Sequence, residues 1–102
     1  LMDNVPRSLP AGLGADIDAA AWALPPVFAW LADAGGIAPK ELAHTFNCGI
    51  GMTVVVGAGD AEGVETAFRD AGETVYRIGR VRRHDARRPR LAVEGAATRW
   101  RP

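Results

Sequence analysis

The residues of this chain best placed to do chemistry are Thr45-Phe46-Asn47-Cys48-Gly49-Ile50-Gly51-Met52. A carboxamide stands beside two glycines that separate a helix end from an apolar run. Glycines at such a place add nothing to a core and cost conformational entropy, so they usually let the backbone approach something closely. On physics alone a ligand-facing turn and a plain connecting turn fit equally. His44 and Cys48 stand four apart, as two metal ligands on one helical face would, but no third or fourth ligand lies near them. No metal site is expected, and Cys48, the only cysteine, can form no intrachain disulfide.

Other candidate motifs have simpler readings. Gly57-Ala58-Gly59-Asp60-Ala61-Glu62-Gly63 follows an apolar run and opens a helix as a dinucleotide-binding turn does. Its third glycine comes one position too late, and Arg77 and Arg80 stand where an acidic residue should end the next strand. Arg77–Arg90 holds seven arginines, enough to engage a nucleic acid backbone, yet only Tyr76 adds an aromatic and no reader motif is present. A solvated loop, or one facing an acidic partner domain, is the expectation there. His84 among those arginines reads as solvated. Trp22, Val27, Phe28, Trp30 and Leu31 form an aromatic and aliphatic group at helical spacing, which is expected to pack in a core.

These groups need elements to position them. Residues 1–12 read as a turn-rich lead into a short strand near Ala15–Asp18. Pro25-Pro26 starts a helix with Val27, Trp30, Leu31 and Ala34 on one stripe, and Gly35-Gly36 stops it. Pro39 starts a second helix through Leu42, Ala43 and Phe46 that ends at Asn47. Met52–Val56 is β-branched and predicted to be a buried strand. Asp60 is placed to cap a helix carrying Val64, Ala67, Phe68 and Ala71. Thr74–Val81 is predicted to follow as a strand with a bulge at Gly79, parallel to Met52–Val56 through the intervening helix. Arg82–Arg90 is then a loop and Leu91–Val93 an edge strand. The fold class is α/β, a mixed sheet with helices on one face, and nothing divides the chain in two.

A chain of 102 residues with 48% apolar and 24% charged residues has the composition of a globular domain, and one this small buries only about two thirds of the surface its unfolded chain exposes. No apolar run is long enough to span a bilayer and the opening residues do not read as a secretory signal, so a cytoplasmic location is expected. The formal net charge of zero hides an asymmetry. Residues 1–76 hold three basic and ten acidic residues, residues 77–102 nine basic and two acidic.

Several segments together resemble one family. Thr45–Met52 resembles the TFNCGxGM signature of aminoimidazole ribonucleotide synthetases, also called phosphoribosylformylglycinamidine cyclo-ligases. Asp3-Asn4-Val5-Pro6-Arg7 is similar to that family's E-N-[IL]-P-R segment, Leu13-Gly14-Ala15-Asp16-Ile17-Asp18 to its LGAEID strand, and Leu24–Leu31 to its LPPVFxWL helix. Tyr76–Val81 resembles its xxIGxV strand. The order is preserved over about the first eighty residues.

The resemblance implies the C-terminal part, residues 1–102, of the substrate-side domain of a two-domain synthetase whose ATP-binding N-terminal domain is absent from this sequence. It implies a parent enzyme in purine biosynthesis that uses ATP and Mg2+ to close formylglycinamidine ribonucleotide into aminoimidazole ribonucleotide, works as a homodimer, and loses activity and its own cofactors when cut to this piece. Carried over by motif, Asn4, Arg7, Asn47, Gly49 and Gly51 line the substrate cleft, with Arg7 offering a guanidinium fork to anions. No residue is singled out as catalytic. Cys48 is expected to pack. Arg7 has an alternative as the partner of Asp16 or Asp18, and Asn4 as a turn cap. The chain departs from the family in Asp3 and in the Arg-rich loop. Alternatives are a related ATP-dependent synthetase of the same superfamily, or a stand-alone anion or nucleic-acid binding module using residues 77–90.

Overall fold

The computed structural model describes residues 1–2 and 4–100, and Asp3, the family-departing residue of the first motif, lies outside them. Its centre is a three-stranded mixed sheet in the order β2-β1-β3: β1 is Leu13–Asp18, β2 Gly79–Arg83 and β3 Leu91–Glu94. β2 runs antiparallel to β1, with Ala15 opposite Val81 and Ile17 opposite Gly79. β3 runs parallel to β1 on its other side, with Ala15 opposite Leu91 and Ile17 opposite Val93.

The alternation in β1 sorts its side chains between two faces. Ala15 and Ile17 are buried and share a core with Leu91, while Asp16 faces the other way into charge. Arg82 Nε donates to Asp16 Oδ1 at 2.9 Å and Arg88 reaches the same oxygen at 2.8 Å, with Glu94 3.5 Å from Arg88. The hydrogen bond from Arg82, followed by the attraction of both guanidiniums, holds the Asp16 carboxyl below its usual range against an opposing desolvation. Arg90 tethers the other end, donating to the carbonyls of Leu13 at 3.0 Å and Leu9 at 2.7 Å. The predicted Arg82–Arg90 loop is therefore corrected in part: Arg82 and Arg83 belong to β2, and Arg82, Arg88 and Arg90 fasten the sheet and its lead-in.

Among the described residues there are four α-helices. α1 (Pro26–Gly35) and α2 (Pro39–Thr45) each begin at a proline, where the missing N–H is no loss, and α1 ends at Gly36 in the left-handed region with φ 62°. α3 covers Ala61–Asp70 and α4 covers Ala96–Arg99. The core joins Leu42 and Ala43 of α2, Ala32 of α1, Ala96 of α4, Trp22 and Trp100 to the apolar face of the sheet.

Several sequence expectations fail here. Met52–Val56 is not a strand: it is extended chain with Met52 75%, Val54 and Val55 50% and Val56 39% exposed. Its β-branched residues favour extended backbone, but a strand also needs a partner, and this segment pairs with none of the three strands β2, β1 and β3. The parallel pairing with Thr74–Val81 is accordingly absent, and residues 74–78 are irregular. β2 starts only at Gly79, and not at a bulge. A Cβ there would collide with the Asp16 carbonyl of β1, so glycine permits the close crossing.

A further failure concerns α1: of its stripe Val27, Trp30, Leu31 and Ala34 only Leu31 is half-buried and the rest lie outward, with Val27 55% and Trp30 64% exposed. The helix is apolar nearly all round from Val27 to Ala32, so a helical stripe can be drawn through more than one face. The face that packs carries Ala32 and Phe28, the latter tilted against Phe46 at a centroid distance of 6.0 Å. In α3 no residue is fully buried, and Asp60 occupies the capping position without its side chain bonding the helix. Glu65 of that helix pairs with Arg77 beyond it and with Arg69 one turn later in the same helix.

Candidate functional site

Two segments far apart in sequence meet to form a cleft of about 310 Å³. One wall is the first turn of chain, with Leu1, Asn4, Val5 and Ser8; the other is the stretch after α2, with Asn47, Ile50, Gly51, Met52 and Thr53. The first wall is a 3-10 turn, Val5–Ser8, preset by Pro6 and anchored by buried Val5 and Leu9. Met2 N–H donates to the Ala43 carbonyl at 3.1 Å, and the Leu1 nitrogen to the Phe46 carbonyl at 3.1 Å, which ties this wall to the end of α2.

The second wall begins where α2 stops at Phe46, whose extended backbone leaves the helix. Asn47 then builds a turn on itself: its Oδ1 accepts the Gly49 N–H at 2.8 Å, and its carbonyl accepts the Ile50 N–H at 3.0 Å. Cys48, between them, takes φ 55°, a conformation few residues with a Cβ adopt. Its side chain is wholly buried, with Sγ 3.6 Å from the Leu42 carbonyl and 3.8 Å from that of Phe46. Trp22 Nε1 donates to the Cys48 carbonyl at 3.0 Å. Gly49 has φ 96°, and a Cβ there would sit 2.6 Å from Pro25 Cγ, so the turn lies pressed against the start of α1.

Burial pushes the Cys48 thiol up to about 11, which keeps it protonated and poor as a nucleophile or ligand. It acts as a packing residue. Among the described residues no three His, Cys, Asp or Glu side chains are grouped to hold a metal ion.

The five residues singled out in sequence divide as follows. Asn4, Asn47 and Gly51 come together in the cleft lining. Gly49 belongs to the same turn but its N–H is engaged by Asn47, so it shapes the wall without offering a donor. Arg7 is exposed on the Val5–Ser8 turn outside the lining, and its alternative partners are occupied otherwise: Asp16 by Arg82 and Arg88, Asp18 by capping the Ala20 N–H at 2.8 Å. With Oδ1 of Asn47 already bonded, its NH2 is the group available to a ligand. Sequence reading missed the hydroxyl residues Ser8 and Thr53 in the lining, and Trp22 behind the turn. Ser8 follows Asn4 by four residues, a spacing that carries no signal outside a helix, and Thr53 was hidden inside the supposed strand.

The sequence model of the family described as AIR synthase related protein, C-terminal domain, matches residues 1–91. Proteins named phosphoribosylformylglycinamidine cyclo-ligase from Burkholderia mallei (strain SAVP1) and Burkholderia pseudomallei (strain 668) are each 51% identical over 82 residues, covering 80% of this chain and 23% of theirs. The chain thus spans under a quarter of the length of these relatives. The family model's match, from residue 1 to residue 91 of 102, means that this chain belongs to the AIR synthase related protein C-terminal domain family.

Proposed function

We propose that this chain is the C-terminal, substrate-side portion of an ATP-dependent phosphoribosylformylglycinamidine cyclo-ligase, the purine-biosynthesis enzyme that closes formylglycinamidine ribonucleotide to aminoimidazole ribonucleotide. The observation that carries the proposal is the 51% identity to proteins bearing that name over four-fifths of the chain. The cleft adds support, because it joins Asn4 and Asn47 from two of the motifs that resemble the family. In this reading the NH2 of Asn47, the side chain of Asn4 and the backbone around Gly51 orient a polar substrate, and Arg7, exposed on the Val5–Ser8 turn outside the lining, attracts its anionic part. Such groups accelerate a reaction by holding reacting atoms in place and stabilising developing charge.

The described residues do not suit Mg2+ and ATP themselves. No metal-ligating trio is grouped, Lys40, the one lysine, lies on α2, and the Gly57–Gly63 segment forms a short turn into α3 with no lysine behind it. ATP and Mg2+ are accordingly assigned to the remainder of the parent enzyme, with the N-terminal domain as the partner of this one, in a homodimer in the cytoplasm. No helix among the described residues is long and apolar enough to cross a membrane. The nucleic-acid alternative loses ground because four of its seven arginines, Arg77, Arg82, Arg88 and Arg90, have partners within the chain.

The proposal is tested in the full-length enzyme. Asn47→Ala and Arg7→Ala each remove a group typically worth a few kcal/mol at a polar ligand, so turnover should fall roughly tenfold to a thousandfold with little change in thermal stability. The isolated chain should neither hydrolyse ATP nor close the ring. Full activity in both variants would refute the cleft assignment, and ring closure by the isolated chain would refute the division of labour.

A further inference from the structure

The Asn47 turn has an unusual construction. Cys48 holds φ 55° although it carries a Cβ, so something must fix the backbone there. Its thiol is buried but makes only long contacts to carbonyls, at 3.6 and 3.8 Å. Among the described residues, the short bond from elsewhere in the chain to this strained residue is that of the Trp22 indole N–H, 3.0 Å from the Cys48 carbonyl and buried. Trp22 is 6% exposed and comes from the other side of α1 and α2, 26 residues earlier in the chain.

Trp22 is itself held from behind. The ring of Trp100 meets it edge-on, with centroids 5.6 Å apart and planes at 63°. Trp100 is 1% exposed at the end of α4, which packs on α2 and on the Ala19–Ala21 turn that leads into Trp22. α4 and Trp100 lie after residue 91, beyond the stretch that matches the family. A segment outside the family match is thus wedged behind a bond that fixes the wall of the candidate cleft.

We infer that Trp22 is the positioning residue of the Asn47 turn, and that Trp100, from the segment beyond the family match, clamps Trp22 in place. The indole N–H fixes the Cys48 carbonyl, which keeps Cys48 left-handed. That in turn points the Asn47 side chain back onto the Gly49 N–H and leaves its NH2 for the cleft. The importance of this clamp for ligand binding rests on the cleft reading above; the clamp on the backbone stands without it.

Amide hydrogen exchange in the full chain tests the clamp. Trp22→Phe keeps a six-membered aromatic ring and removes the N–H donor together with the pyrrole part of the indole, so the sheet amides serve as the internal reference for any general loss of packing. Gly49 and Ile50, whose amides close the turn, should then exchange at least tenfold faster relative to the β1 amides of Ala15 and Asp18, which report on the sheet. Trp100→Leu, which removes the ring edge but not the donor, should raise the same ratio by a smaller factor, and Trp100→Phe should largely restore it. An unchanged ratio of turn to sheet exchange in Trp22→Phe overturns the proposal, whatever the overall stability. Should Trp22→Phe not fold, an unchanged ratio in Trp100→Leu overturns it instead. Neither measurement uses activity, so failure of the cleft reading, seen as full turnover in Asn47→Ala, is separate from failure of the clamp.

Discussion

Cys48 shows how one side chain can tie acid–base chemistry to folding. An ordinary thiol titrates near 9, whereas burial raises this one to about 11. The folded chain therefore holds the thiol proton more tightly than the unfolded chain does. The stability this gives is complete below about pH 9 and is lost as pH rises toward 11, and two pH units correspond to at most about 3 kcal/mol. Urea unfolding from pH 8 to 11 should show a steeper decline for the parent chain than for Cys48→Ala, in which no thiol can ionise. Parallel declines would show that Cys48 is not shielded as described.

Among the elements, exposure decides the cost of a substitution more than residue type does. Leu42 on α2 is 0% exposed, and Leu42→Ala should cost about 2–5 kcal/mol, because it removes packed atoms and leaves a cavity. Val54, half exposed in the extended stretch after the Asn47 turn, should tolerate Val54→Thr within about 0.5 kcal/mol. Chemical denaturation of the two variants checks both, and a large loss for Val54→Thr would mean that Met52–Val56 is buried in solution.

The same contrast explains what could be read in advance. α1 and α2 are announced by local signals, Pro26 and Pro39 at their starts and Gly36 past the end of α1, and local signals survive in a sequence. The partner of a strand is not a local property. Met52–Val56 has the composition of a strand and no pairing, and of residues 74–78 only Ile78 touches the sheet, its carbonyl accepting the Asp18 N–H at 2.7 Å, while β2 gathers mainly arginines. In the candidate site, the glycines beside Asn47 mark a turn, and motif resemblance places Asn4 beside it. Ser8 and Thr53 could not be seen, because only the folding of residues 1–8 onto residues 47–53 brings them to the cleft.

Taken as a whole, the molecule presents a good deal of apolar surface to water. Val27 and Trp30 on α1 and Met52–Val56 are exposed, and among the described residues the sheet has three strands, with β2 and β3 each paired on one side. Exposed apolar residues and open sheet edges favour association with further chain. Sedimentation of the isolated chain should show concentration-dependent association, weakened by Trp30→Asp. A monomer at every concentration would show that these surfaces are covered in another way.

The three tryptophans also give the chain an optical signature. Trp22 and Trp100 are close enough, and inclined enough at 63°, for their indole transitions to couple, whereas Trp30 stands alone in water. The pair should produce a circular-dichroism couplet of opposite-signed bands superimposed on the backbone spectrum, while Trp30 supplies long-wavelength emission that a soluble quencher reaches. Loosening of the Asn47 wall would thus be visible as a fading couplet before Trp30 changes colour at all.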